Sequence, residues 1–64
     1  MKIPTKYRVS AWRLGKQLRY VSEFKANDDR EARRKFREVK RKPENAFYNL
    51  TLWRIEAETA IDFL

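Results

Sequence analysis

The chain has 64 residues, which is enough for one small domain with a thin core. It contains no Cys, no His and one Gly, which excludes disulfides, thiolate and imidazole metal sites and a glycine-rich phosphate loop, and removes the usual general base. Because these residues are missing, we expect a non-enzymatic protein without a cofactor. No apolar run reaches the length of a membrane span or a signal peptide, so we expect a cytoplasmic protein without membrane contact. The net charge of +7 predicts a polyanionic partner.

The first half of the chain predicts a β-hairpin. Two alternating segments, TKYRVSAWR and KQLRYVSEFKA, flank Leu14-Gly15, and Gly15 can adopt the positive φ that a tight turn requires. The two-residue turn places Val9 opposite Tyr20 and Ala11 opposite Leu18. One side of the hairpin is then an apolar core face, made of Tyr7, Val9, Ala11, Leu18, Tyr20 and Phe24. The other side is polar and basic, with Lys6, Arg8, Ser10, Trp12, Gln17, Arg19, Val21 and Glu23.

A helix is predicted next, starting after an Asp28 or Asn27 cap and ending near Lys42, before Pro43. A spacing of 100° per residue puts Ala32, Phe36 and Val39 on one buried stripe. Directly opposite lies a row that we call the arginine ridge, formed by Arg30, Arg34, Arg37 and Arg41. One flank of the helix carries Arg33 and Lys40, and the other carries Glu31, Lys35, Glu38 and Lys42.

Residues 47–57 predict a third strand, with Leu50 and Leu52 on one side and Trp53 on the other, and the pattern leaves open which side faces the helix. Residues 58–64 are expected to form a flexible tail, or to fold over Trp12, Val21 and Trp53. We therefore predict one domain, residues 1–64, with an α+β fold in the order β-β-α-β. Its three-stranded sheet has the order 2-1-3, and one helix packs on one face.

The charge distribution identifies a candidate binding surface. Residues 1–42 hold fifteen Lys and Arg against five Asp and Glu, whereas residues 43–64 hold one against four. A solvated helix surface usually mixes charges, while guanidinium groups one helical turn apart match the phosphates of a nucleic acid. The predicted nucleic-acid-binding residues are Arg30, Arg33, Arg34, Arg37, Lys40 and Arg41 on the helix, with Arg8, Trp12, Arg13, Lys16 and Arg19 on the hairpin.

Two alternatives stay open at this level. On the polar side of the sheet, an exposed Trp12 among cations would suit base stacking, but the tail could instead cover it as a second small core. The protein could also be an interaction module, such as a phage- or plasmid-encoded inhibitor, that docks on an acidic protein surface through the same arginines, the edge of the second strand or the tail.

Three segments resemble a known family: YRVSAW, YVSEFKANDDREARRKF and NLTLWRIEAE. They are similar to the LX-type ribosomal proteins of the archaeal large subunit and their eukaryotic relatives, at positions Tyr7, Arg8, Val9, Phe24, Ala26, Ala32 and Arg33. At residues 42–45 the sequence reads KPEN, where that family has a Gly-Ser-Lys-His-like segment. The resemblance implies the same β-β-α-β order, and RNA rather than DNA as the nucleic acid.

Overall fold

A four-stranded antiparallel sheet with one helix on one face makes up the computed structural model, which describes residues 4–64. The elements are β1 (Thr5–Trp12), β2 (Arg19–Ala26), α1 (Asp29–Arg41), β3 (Asn49–Arg54) and β4 (Thr59–Phe63), with single turns of 3-10 helix at Pro43–Asn45 and Ile55–Ala57. The strand order is β2-β1-β3-β4. The α+β class is therefore confirmed, and the prediction of a three-stranded sheet is wrong. Within residues 4–64 no helix has the length and apolar character needed to cross a membrane.

The hairpin turn lies where the sequence predicts it. The backbone N–H of Lys16 donates to the Arg13 carbonyl at 3.0 Å, and Gly15 has φ +81°. A residue with a β-carbon would be strained at that φ, which explains why glycine occupies the turn. The strand pair nearest to the turn is Ala11 with Arg19, so residues 12–18 form a loop that extends beyond the paired strands and carries Arg13 and Lys16.

The predicted register between the first two strands is wrong by one residue next to the turn, where Ala11 lies opposite Arg19 instead of Leu18, and by two residues on the other side of a β-bulge in β2. Val9 lies opposite Ser22 but Ser10 lies opposite Tyr20, which leaves Val21 as an extra residue. The shift of one residue exchanges the two faces of β2 between the turn and the bulge, and the bulge restores the predicted faces from Ser22 onward. Val21 packs against the core, whereas Tyr20, which we expected in the core, is exposed on the opposite face.

Two further hairpin residues also differ from the prediction. Leu18 was expected in the core and is exposed. Arg19 was expected on the polar face, but its position opposite the buried Ala11 places it on the helix side of the sheet.

Helix α1 forms as predicted. Asp28 is the N-cap and its carboxylate accepts from the Glu31 N–H at 2.8 Å, while the helix ends just before Pro43. The predicted stripe of Ala32, Phe36 and Val39 is buried against the sheet, on the face formed by Tyr7, Val9, Ala11, Ala26, Leu50 and Leu52. In β3, Leu50 and Leu52 thus face the helix and Trp53 faces away, which resolves the alternative that the sequence left open.

The C-terminal residues extend the sheet. Strand β4 pairs with β3, and Leu50 and Leu64 exchange two backbone hydrogen bonds at 2.7 and 2.9 Å. The turn between these strands places Glu58 in the left-handed region at φ +49°, which is uncommon for a residue with a side chain. The expectation that residues 58–64 form a flexible tail or cover the sheet is therefore wrong, and the face opposite α1 stays open. We call it the open face.

Candidate nucleic-acid interface

The arginine ridge lies along the solvent side of α1. Its four members are exposed, on the side of the helix opposite Phe36. At a rise of about 1.5 Å per residue, neighbouring members are about 4.5–6 Å apart along the axis and the ridge spans about 16 Å. Within residues 4–64, none of the four guanidinium groups forms a hydrogen bond or an ion pair. Their five-donor forks are therefore free to bind an anion.

The ridge is not uniformly positive along its length. Asp28 and Glu31 line the same shallow groove as Arg30, Arg34 and Arg37. The Asp28 carboxylate accepts a hydrogen bond from a backbone N–H in the first turn of the helix, and the Glu31 carboxylate lies 3.6 Å from the Lys35 ammonium. These carboxylates lower the positive potential at the N-terminal end of the groove, so the C-terminal half of the ridge should attract an anion most strongly.

Arg33 and Lys40, which we predicted as part of the same surface, are bound within the protein. Arg33 donates to the Ile61 carbonyl at 3.4 Å, and its Nε lies 3.9 Å from the Asp62 carboxylate. Lys40 donates to the Tyr48 carbonyl at 2.6 Å. Both side chains reach towards the β3–β4 side of the sheet. The helical patch thus contains four available cations instead of the six expected from the sequence.

A polar cluster beneath the helix fixes α1 on the sheet. The buried Tyr7 hydroxyl of β1 donates to the Asp29 carboxylate at 2.7 Å, and Arg54 of β3 forms an ion pair with the same carboxylate. Hydrogen bonds from Arg54 and Tyr7 hold the pKa of Asp29 below its ordinary value. The pKa of Tyr7 is raised, mainly by burial of its hydroxyl and to a smaller extent by its hydrogen bond to Asp29. The sequence did not reveal this cluster, because its members are 22 and 25 residues apart.

The predicted hairpin residues do not extend the ridge. Arg8 lies on the open face, where it donates to Glu23 at 3.2 and 3.4 Å and stacks over the Tyr20 ring at 4.6 Å. Trp12 is exposed on the same face.

The other three hairpin cations lie elsewhere. Arg13 and Lys16 are exposed at the turn, and Arg19 stacks over the Tyr48 ring at 4.8 Å on the helix side. The eleven predicted residues therefore do not form a single surface: the ridge, the hairpin turn and the open face are separate.

The open face also contains aromatic residues besides Trp12. Tyr20, Trp53 and Phe63 lie on it, and the Trp53 indole N–H donates to the Ser10 hydroxyl at 2.8 Å. A groove of about 320 Å³ is lined by Arg8, Tyr20, Trp53, Ile55 and Glu58. The bulge in β2 and the position of β4 create this grouping, and neither has a clear sequence signal.

No family model, curated protein or solved structure matches the chain. The resemblance to LX-type ribosomal proteins thus stays a sequence-based expectation. Among residues 4–64 there is no group of three or more acidic side chains arranged to hold a metal ion.

Proposed function

We propose that this protein is a non-enzymatic nucleic-acid-binding protein that holds phosphates through the arginine ridge. The observation that carries the proposal is the row of four exposed guanidinium groups on α1, none of them engaged with another group in residues 4–64. Like charges one helical turn apart destabilise a helix by a few tenths of a kcal/mol per pair. A polyanion that neutralises several of them at once removes that repulsion and releases its own counterions.

Rigid support favours the same proposal. The stripe of Ala32, Phe36 and Val39 is buried in the core, and the cluster of Tyr7, Asp29 and Arg54 fixes the start of the helix. A ridge on a fixed helix loses less entropy on binding than arginines on a loop would. Contacts to phosphates position a nucleic acid but do not read its sequence, so we expect weak sequence preference from the ridge. RNA is favoured over DNA because of the family resemblance, which also suggests a ribosomal role.

The test is fluorescence anisotropy of a labelled RNA hairpin and a matched DNA duplex. The ridge variant carries Gln at Arg30, Arg34, Arg37 and Arg41. A matched control, the hairpin variant, carries Gln at the exposed cations Arg13, Lys16, Arg19 and Lys25. Each variant loses four positive charges from a net charge of +7, so long-range attraction changes equally in both.

We expect the ridge variant to lose most of its binding and the hairpin variant to retain most of it, with the RNA bound more tightly than the DNA. Circular dichroism must show that both variants fold. Equal losses in the two variants would mean that net charge alone attracts the nucleic acid, and the ridge would not be a site. If the wild type binds neither nucleic acid but an acidic protein captures it through the ridge, the interaction-module alternative replaces the proposal.

A further inference from the structure

The open face presents one aromatic ring from each strand of the sheet. They are Trp12 of β1, Tyr20 of β2, Trp53 of β3 and Phe63 of β4. Trp12 is 46 % exposed, Tyr20 62 % and Phe63 68 %, and Trp53 is partly exposed. A chain of this size has few large side chains with which to build its core. A face that leaves four rings outside is the kind of patch that marks a binding site.

The strand register sets the spacing of these rings. Tyr20 lies opposite Ser10, Ser10 opposite Thr51, and Thr51 opposite Phe63, so Tyr20 and Phe63 mark the two ends of one row across the sheet. At about 4.8 Å between strands, that row is about 14 Å long. The hydrogen bond to Ser10 holds the Trp53 ring towards the middle of the row.

The chemistry of the face favours bases over an apolar partner surface. The Trp53 N–H is already used by Ser10, so this ring offers its flat face and not a donor. Cations stand among the rings: Arg8 lies over the Tyr20 ring, and Lys6 lies 3.7 Å from Glu23 on the same face. Both cations pair with Glu23, and an apolar protein surface would have to bury this group of three charges away from water. A nucleic acid instead supplies flat bases for the rings and phosphates for the cations.

We propose that the open face stacks the unpaired bases of a single-stranded nucleic acid, with the groove between Tyr20 and Trp53 holding one base. Arg8 and Glu58 line that groove, where Arg8 has further N–H donors beyond those that bind Glu23 and Glu58 offers a carboxylate acceptor to the edge of the base. The proposal rests on the proposed function in taking nucleic acid as the partner, but it assigns a second site. The helix that carries the ridge covers the other side of the sheet, so the two sites face in opposite directions.

The intrinsic fluorescence of the protein tests this site directly, because both tryptophans of the chain lie on the open face. The wild type is titrated with a ten-nucleotide oligouridine, the corresponding oligothymidine, and a blunt duplex of the same length. We expect both single strands to quench the emission by stacking and the duplex to leave it almost unchanged. The RNA and DNA strands then rank the two sources of unpaired bases.

The open-face variant replaces Tyr20 and Phe63 by Ala and keeps both tryptophans as reporters. In the control variant Leu14 and Phe47, which are 85 % and 80 % exposed, become Ala, so this variant also loses two exposed apolar side chains. Each lost stack should weaken single-strand binding by at least about fivefold, and the control should bind like the wild type. All four positions are exposed, so neither variant should lose its fold.

The two proposals can fail separately. If the single strands do not quench tryptophan while anisotropy still shows binding that depends on the ridge, the stacking site is wrong and the proposed function stands. If neither signal appears, both are wrong. If the wild type sediments as a dimer that the open-face variant dissociates, and single strands cause no quenching, a second copy of the chain covers this face and the stacking proposal is overturned.

Discussion

The salt dependence of binding tests whether four or six helical cations contact the nucleic acid. Each phosphate neutralised on a duplex contributes about 0.9 to the slope of log affinity against log salt. The four members of the ridge should therefore give a slope of about −3.6 and an affinity loss of about 150-fold between 50 and 200 mM salt. Six contacts, as the sequence alone suggested, would give a slope of about −5.4 and a loss of about 1,800-fold.

Two double variants separate these possibilities at equal net charge. In one, Arg34 and Arg37 become Gln, and the slope should fall to about −1.8, which corresponds to a loss of only about 12-fold over the same salt range. In the other, Arg33 and Lys40 become Gln, and the slope should stay near −3.6, because these side chains are held by the Ile61 and Tyr48 carbonyls. The measurement is anisotropy at four or more salt concentrations.

The reasoning would be refuted if the two double variants reduced the slope equally. Arg33 and Lys40 would then leave their internal partners to reach the phosphates, and the division of the helix into a ridge and a bound flank would be wrong. A change in affinity alone would not decide the matter, since removing any cation from a basic protein weakens long-range attraction.

Two further predictions concern the support of the ridge. Tyr7→Phe removes a partly buried hydrogen bond to Asp29 and should cost about 1.5 kcal/mol, at the low end for a charged acceptor because that carboxylate is one-third exposed. Thermal unfolding followed by circular dichroism should show a midpoint roughly 6–12 °C lower. Arg54 and Tyr7 lower the pKa of Asp29 from 3.8, so this stabilisation is complete above pH 3.8 and is lost as the pH falls through the lowered pKa. If Tyr7→Phe lowered the free energy of unfolding by the same amount at neutral and at acid pH, the assignment would be contradicted. Phe36→Ala should cost about 3–5 kcal/mol, which is close to the whole stability of such a domain, so circular dichroism should show most of the protein unfolded. Phe47→Ala is the control at an exposed position. A near-normal unfolding midpoint for Phe36→Ala would show that the core is not where we place it.

The helix was predictable because its signals are local. The cap at Asp28, the stripe around Phe36 and the stop before Pro43 each depend on residues within one or two turns of one another. The hairpin turn was predictable for the same reason, since Gly15 is the one residue there that adopts a positive φ without strain.

The register of β2 was not predictable from alternation. Tyr20 and Val21 are adjacent and both apolar, so either could face the core, and only the packing of the core selects Val21. Strand β4 was missed because the turn before it contains no Gly or Pro, and Glu58 adopts a positive φ instead. The missing strand in turn concealed the carbonyl of Ile61 and the carboxylate of Asp62, which remove Arg33 from the ridge.

The opposite orientation of the two proposed sites makes a further prediction about the ligand. The Cα positions extend over 43 × 21 × 14 Å, and the ridge and the open face lie on opposite sides of this small body. A ten-nucleotide extension spans about 34 Å even at the stacked rise of 3.4 Å per nucleotide, which is enough to pass around the edge. A duplex with such an extension could engage both surfaces, and the second contact would then form at high effective concentration.

We expect this extended duplex to bind at least about 100-fold more tightly than either the blunt duplex or the free single strand. The gain should disappear in the ridge variant and equally in the open-face variant, because each loses one of the two contacts. An extension of two nucleotides is the control, since it cannot reach around the sheet. If the long extension adds no more affinity than the short one, the two surfaces do not hold one molecule together, and each must then be assigned its own ligand.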